Sequence, residues 1–382
     1  MATFPFVMCG VPFDQVTMDE SVEIVQKMIR SRRPHHIVTA NVDFLVQSLH
    51  DEKLHQIFLD ADLLLCDGTP LVWASRLLGH PLPERVAGSD LVPRLMELAE
   101  KKNYRIFLLG GSPEANEAAV KNLEEQHPRL IIAGHYSPPF APLKDMDHEG
   151  ICQRIREADA DILLVSFGCP KQEKWISMNY QALGVPVVIG VGAVIDFYAR
   201  RVKRAPVWMR ESGLEWVYRL SQEPRRLFRR YAVDLYGFVT AMLMEKWHDQ
   251  HPPEIPLLHG PIEVEETKWR RIHIPARLDS NLITDHAVFW HHVSHHDYLL
   301  NLENVEFIDA VGAGMLIRLH QRLKQQGHAL LLLNPSPTVL ITLKRRRLLQ
   351  HLTVVKSEEE AAQKTSPRAE IHSLPMATPL AA

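Results

Sequence analysis

Residues Leu63 to Asp90 read LLLCDGTPLVWASRLLGHPLPERVAGSD, and the order of their parts decides the fold. Leu63, Leu64 and Leu65 form a short apolar run that suits a buried strand. Asp67-Gly68 suits the turn at its carboxyl end, and Pro70 suits the first position of a helix running on to Leu78. Open α/β sheets bind their ligands at that edge, where strands give way to helices. A carboxylate held there can be a general base, an N-cap or a metal ligand, so Asp67 is the first candidate residue, with its role undecided by this stretch alone.

Working outward, the same alternation repeats from Val11 to about Gly192. Strands are expected at His36–Thr39, Leu63–Cys66, Arg105–Leu109, Leu130–Ala133, Ile162–Ser166 and Pro186–Ile189. Helical patterns over Phe44–Leu59, Leu91–Lys101, Pro113–Gln126 and Gln172–Tyr180 separate them. Such alternation predicts an α/β class, a Rossmann-like, mainly parallel sheet with helices on both faces. The pattern turns wholly helical after Ala199, and HPPEIPLLHGP between His251 and Pro261 reads as a linker. The expected organisation is a core over 1–198, a basic helical appendage over 199–247, a linker over 248–268, a second small α/β domain over 269–356 and a disordered tail over 357–382.

Composition narrows the class. A chain of 382 residues, 46% hydrophobic and 23% charged, has ample material for large soluble cores. Its four cysteines, Cys9, Cys66, Cys152 and Cys169, form no CxxC pair, which argues against a disulfide framework or a zinc site and suits a reducing cytosol. Neither a signal peptide nor a run of 18 apolar residues is expected.

Three more strand ends carry polar or small residues. Thr39 and Asn41 could hydrogen-bond a sugar or phosphate, although Asn41 could equally cap the following helix. Gly110-Gly111-Ser112-Pro113 is a glycine turn opening a helix, an arrangement that suits a diphosphate. Gly168-Cys169-Pro170-Lys171-Gln172 lets a ligand approach the backbone, with Gln172 offering donor and acceptor. Two apparent motifs are set aside. Gly190-Val191-Gly192 begins like a dinucleotide fingerprint, but Ile195 replaces the third glycine and basic residues stand where the ribose acid belongs. Asp60-Ala61-Asp62 and Asp159-Ala160-Asp161 resemble metal pairs but read as solvated caps.

From Arg200 to Arg230 nine arginines and one lysine face three glutamates, a net charge of about +7, interleaved with Trp208, Trp216, Tyr218 and Phe228. Like charges packed so closely repel one another on a plain surface helix. Arginine forks suit diphosphates, and basic helices with aromatics suit anionic membrane surfaces. Nucleic acid would explain the charge but leaves the polar strand ends without a role.

Together these blocks resemble the WecG/TagA/CpsF glycosyltransferases (glycosyltransferase family 26) of bacterial surface polysaccharide synthesis, over about Val11 to Phe238. The matching stretches are Thr39-Ala-Asn41, Ala61 through Gly68, Pro83 through Asp90, Gly168 through Glu173, Gly190 through Phe197, and Lys203 through Pro206 with Gly213 to Trp216 and Glu223 to Leu227. The resemblance implies transfer of N-acetylmannosamine, its uronic acid or glucose from a UDP donor to an undecaprenyl-diphosphate-linked acceptor, with inversion and without a metal or other cofactor. It implies Asp67 as general base, with Thr39, Asn41 and Gln172 in the site. Gly110, Gly111, Gly192, Arg85, Lys203, Arg204 and Arg210 are candidates for holding the donor, the cations neutralising the departing diphosphate. Cys66, Ala40, Ile195 and Arg200 depart from the family's usual residues; Arg200 leaves the appendage geometry open.

The second domain resembles a divergent STAS domain of the anti-sigma-factor antagonist type, through Ile274 to Asp279, Leu299 to Leu302, Val305 to Gly314 and the strand Ala329–Leu333. Regulatory members carry a phosphorylatable serine after the aspartate matched by Asp309, whereas Ala310 and Val311 stand here, so a docking role is expected instead. The histidines between His286 and His296 read as a solvated helix face. The expected whole is a peripheral enzyme on the cytoplasmic face of the membrane, with no nucleic-acid partner and its oligomeric state open. The competing expectation is a non-catalytic sensor of UDP-sugar or lipid diphosphate that signals through the STAS module.

Overall fold

The structure is a computed structural model describing residues 4–202, 204–206, 208–209, 213–222, 224–249, 261–266 and 268–365. The chain divides into two compact units, Met1–Pro252 with Asp309–Arg318, and Pro253–Ile308 with Leu319–Ala382.

The first unit opens on an antiparallel hairpin, β1 (Phe6–Met8) and β2 (Val11–Phe13). Six strands then build one sheet: β3 (His35–Ala40), β4 (Leu63–Cys66), β5 (Arg105–Gly110), β6 (Ile131–Tyr136), β7 (Ile162–Ser166) and β8 (Val187–Gly190). Their order is β4-β3-β8-β7-β5-β6, and every pairing is parallel. All six expected strands are present, each end within three residues of its expected position.

Both faces of a parallel sheet must be covered, and the strands alternate accordingly. Leu63 and Leu65 join Ile37, Leu108, Leu164 and Ile189 in one core. Leu64 and Cys66 join Val38, Phe44 and Leu71 on the opposite face. Edge strand β4 does not end in open backbone, because Asp14 after the hairpin donates its amide to Leu64 O at 2.9 Å and accepts Leu64 N–H at 2.8 Å.

Two sequence expectations fail at this sheet. The helix expected over Phe44–Leu59 is two helices, Val42–His50 and Glu52–Asp60. Asp51 ends the first, and its carboxylate accepts Leu54 N–H at 3.0 Å to start the second. Nor are Asp62 and Asp161 solvated caps. Asp62 accepts the His36 amide at 2.8 Å and Asp161, which is buried, accepts the Arg105 amide at 2.9 Å. Each aspartate precedes one strand and grips the start of its neighbour, at the edge of the sheet opposite to Asp67.

After a short helix, Val194–Tyr198, come helices Glu215–Gln222 and Pro224–Asp249. The long helix buries Leu227, Phe238 and Met242, the last two against the helix Val42–His50 face of the core. Gly237 sits where an added Cβ would lie 3.0 Å from Val46 Cγ1.

In the second unit β9 (Glu263–Glu266), β10 (Arg270–His273), β12 (Tyr298–Asn301), β14 (Leu330–Leu333) and β15 (Thr353–Val355) form a sheet of order β15-β14-β12-β10-β9, parallel except for β9. Strands β11 (Arg277–Leu278) and β13 (Phe307–Ile308) form a separate parallel pair. Two boundaries need correction. Strand β9 lies inside the expected linker, pairing with β10 as an antiparallel edge. The expected disordered tail begins instead with helix Glu358–Thr365, whose first turn is held by Glu360 N–H on Ser357 Oγ at 3.3 Å and by buried Ala361.

Candidate active site

The carboxyl ends of β4, β3, β8, β7 and β5 line up along one edge, bringing Asp67, Thr39, Asn41, Gly192, Gln172, Gly110 and Gly111 to the same side of the sheet. Four strand spacings separate β4 from β5, roughly 19 Å. Two open depressions, one over Glu117, Lys121 and His135 and one over Phe107, Tyr136 and Arg154, lie toward β5 and β6, at the other side from Asp67.

At the β4 end, Asp67 is half-buried. Its amide donates to Ala40 O at 2.9 Å and its Oδ2 accepts Gly88 N–H at 3.3 Å. Gly88 opens the 15-residue helix Gly88–Lys102, so the carboxylate meets the positive end of a helix. Thr39 is buried beside it. Its hydroxyl donates to Gly190 O at 3.4 Å and would lie 3.1 Å from a Cβ on Gly88. A Cβ there would press on Thr39, which would have to yield by a few tenths of an ångström.

Ser89 and Asp90 continue that turn. Arg204 Nη2 donates to Ser89 Oγ at 3.1 Å and to Asp90 Oδ1 at 2.5 Å. Arg85 donates through Nη2 to Asp90 Oδ2 and through Nη1 to Glu215 Oε2 at 3.2 Å. Gly88-Ser89-Asp90 is thus a hub joining Asp67 to two of the predicted cations. The tripeptide's role as a hub was not among the expectations from sequence; its signal there is a small-small-acid turn shortly after Arg85. In this state both arginines are held by carboxylates. Lys203 and Arg210 lie outside the described residues.

The other candidates are engaged in the scaffold. Asn41 Oδ1 accepts Phe44 N–H at 3.1 Å, the capping alternative of the sequence reading. Gly110 has φ +103°, and a Cβ there would come within 2.4 Å of Ser166 O, so the glycine is required by the close approach of β5 to β7. Gly111 N–H donates to that same oxygen at 3.1 Å. Gln172 is buried: its Oε1 accepts Gly168 N–H at 3.1 Å and Gly192 N–H at 3.2 Å, and its Nε2 donates to Glu173 Oε1 at 2.7 Å. Burial pushes the Glu173 carboxyl up to about 7 against the hydrogen bond from Gln172.

Against known proteins, the Glycosyl transferase WecG/TagA/CpsF family matches residues 6–252. The chain belongs to that family. It is a glycosyltransferase, and a STAS domain follows over residues 254–361. Two similar proteins, from Staphylococcus aureus strains MW2 and MRSA252, are each named N-acetylglucosaminyldiphosphoundecaprenol N-acetyl-beta-D-mannosaminyltransferase. Each is 29% identical over 239 residues, covering 62% of this chain and 92% of the relative. An anti-sigma-factor antagonist (STAS) domain protein from Planctomyces limnophilus aligns with 27% of this chain and 97% of its own, at 22% identity and TM-score 0.25.

The glycosyltransferase unit also carries an exposed apolar stripe. On helix Pro224–Asp249, Phe228, Leu235, Tyr236, Val239, Leu243 and Trp247 are exposed beside Arg225 and Arg229, while the opposite face packs on the core. No helix among the described residues is long and apolar enough to cross a membrane.

Proposed function

We propose that this glycosyltransferase moves a sugar from a UDP donor to an undecaprenyl-diphosphate-linked acceptor with inversion, and that N-acetylmannosamine is the first donor sugar to test. The observation that carries the reading is the position of Asp67 at the β4 end, beside Thr39 and next to the helix turn that holds Arg85 and Arg204. In a single displacement the acceptor hydroxyl gives its proton to the Asp67 carboxylate, its oxygen bonds to the anomeric carbon, and the bond to UDP breaks with the electron pair leaving on the diphosphate. Arg85 and Arg204 would exchange carboxylate partners for that developing charge, with Lys203 and Arg210 as further candidates.

The exposed apolar stripe with its arginines supports a peripheral seat on an anionic bilayer, where a lipid-linked acceptor resides. In the STAS domain, Asp309 Oδ1 accepts Gly312 N–H at 2.7 Å, and Ala310 and Val311 offer no hydroxyl, which favours docking over phosphorylation switching. The experiment is a panel of UDP-sugars with purified full-length chain and a synthetic lipid-diphosphate acceptor. Product from UDP-N-acetylmannosamine with inverted configuration is expected. Binding of UDP-sugar without turnover on any acceptor would favour the non-catalytic sensor.

A further inference from the structure

We propose that Gln172 and Glu173 are a positioning pair that sets the two glycine turns at the ends of β7 and β8, and that neither side chain touches substrate. The inference rests on the donor-binding reading above, because those turns lie on the same edge of the sheet as Asp67 and Thr39. One oxygen does the joining. Gln172 Oε1 accepts Gly168 N–H and Gly192 N–H together, at 3.1 and 3.2 Å, tying the turn after one strand to the turn after its neighbour. Both glycines have left-handed backbones, with φ of +75° and +53°, so both tied residues hold conformations that ordinary residues avoid. Ser166 adds a second tie, its hydroxyl donating to Gly192 O.

An amide can be turned over, and here the two glycine N–H groups and Glu173 prevent it together. With Oε1 between two N–H groups, Nε2 must face Glu173 Oε1, 2.7 Å away. Turning the amide over would set NH2 against two N–H donors, losing both of those hydrogen bonds in a buried site, and would turn the amide oxygen toward Glu173 Oε1. Glu173 is itself 1% exposed; its Oε2 is buried without a nitrogen or oxygen partner, and the Cys169 thiol is a further hydrogen-bond partner of its carboxyl. A Cβ on Gly190 would fall 2.6 Å from Gln172 Nε2 and 2.9 Å from Glu173 Oε1, so the strand end is shaped to admit this pair. Such a buried carboxyl fits an orienting task better than a solvated one.

The test uses the full-length chain with three variants, Glu173→Gln, Glu173→Leu and Gln172→Met, read by amide hydrogen exchange of the 166–172 and 188–194 segments and by UDP binding calorimetry. Glutamine keeps an acceptor for Gln172 Nε2, so Glu173→Gln is expected to retain parental exchange and UDP affinity within about threefold. Glu173→Leu and Gln172→Met are expected to speed exchange at both segments about tenfold or more and to weaken UDP about tenfold, with exchange in the distant helix Met18–Ser31 unchanged. Should the leucine variant not fold, Gln172→Met carries the same expectation. Unaltered exchange at the two segments in Gln172→Met, or equal acceleration in Glu173→Gln, overturns the pair. Parent enzyme that binds no UDP contradicts the donor reading instead, and the exchange comparison still decides the brace.

Discussion

The amide of Gly88 donates to Oδ2 of Asp67 across 3.3 Å, and so fastens the end of β4 to the first turn of helix Gly88–Lys102. One bond therefore places a carboxylate, a helix N-terminus and, through Ser89 and Asp90, two guanidinium groups around a single point of the sheet edge. A carboxylate beside two guanidinium groups is the arrangement that the proposed proton transfer coupled to diphosphate departure calls for.

Gly88 is where this closure is tightest. A Cβ would stand 3.1 Å from Thr39 Oγ1 and 3.5 Å from its Cγ2, and Thr39 is buried on a central strand. Gly88→Ala is expected to leave thermal stability within about 1.5 kcal/mol, since alanine favours the helix, while displacing Thr39 and lowering kcat about tenfold. Steady-state kinetics beside a melting curve check it; parental kcat would show that Thr39 has no bearing on the reaction.

Asp90 is shared by Arg85 and Arg204, which belong to different segments of the unit. Asp90→Ala leaves Arg204 without that carboxylate and Arg85 with Glu215. The expected result is faster trypsin cleavage within residues 199–222 and at least tenfold lower transfer, with the core's melting temperature little changed. Limited digestion resolved by mass spectrometry reads the first, and unaltered cleavage would contradict the tether.

Glu173 makes stability depend on pH with a definite sign. Its folded carboxyl titrates at about 7, against 4.5 for an ordinary glutamate. The native state thus keeps a proton that the unfolded chain has lost, and the contribution present below pH 4.5 is lost as pH rises to about 7. Glu173→Gln removes that loss, so the variant should gain stability over the parent at pH 8 more than at pH 4.5. Buried His36, lowered to about 4, gives the opposite slope below pH 6.5 but is common to both proteins. Denaturant unfolding at the two pH values checks it; an equal difference at both contradicts it.

Strand positions were legible because parallel strands buried on both faces are unbroken apolar runs, as at Leu63–Cys66 and Ile162–Ser166. The break at Asp51 was not, because hydrophobic periodicity runs straight across a residue that ends one helix and caps the next. The aspartates of the two Asp-Ala-Asp motifs misled for a related reason: their partners are strand amides 26 and 56 residues away, invisible to local spacing. Asp67 and Thr39 were found as strand-end polar residues. The inward turn of Gln172 was hidden, since an amide reads alike whether it meets a ligand or the backbone.

The proposed membrane attachment rests on the stripe of Phe228, Leu235, Tyr236, Leu243 and Trp247, the last 68% exposed. Replacing Tyr236, Leu243 and Trp247 together by serine should lower binding to anionic vesicles at least tenfold without altering the melting temperature. Raising salt should weaken the parent as well, because it screens an attraction of about 1 kcal/mol per basic residue near the lipid. Vesicle sedimentation measures both, and undiminished binding by the triple variant would remove the stripe from the membrane contact.

The most direct measurement is transfer by Asp67→Asn, assayed with UDP-N-acetylmannosamine and a lipid-diphosphate acceptor beside UDP binding to the same preparation. Asparagine can still accept the Gly88 amide through its side-chain oxygen but cannot take a proton from the acceptor hydroxyl. Turnover reduced by about 10²- to 10⁴-fold with UDP affinity nearly intact is the predicted result. Turnover retained at the parental rate would contradict Asp67 as the base.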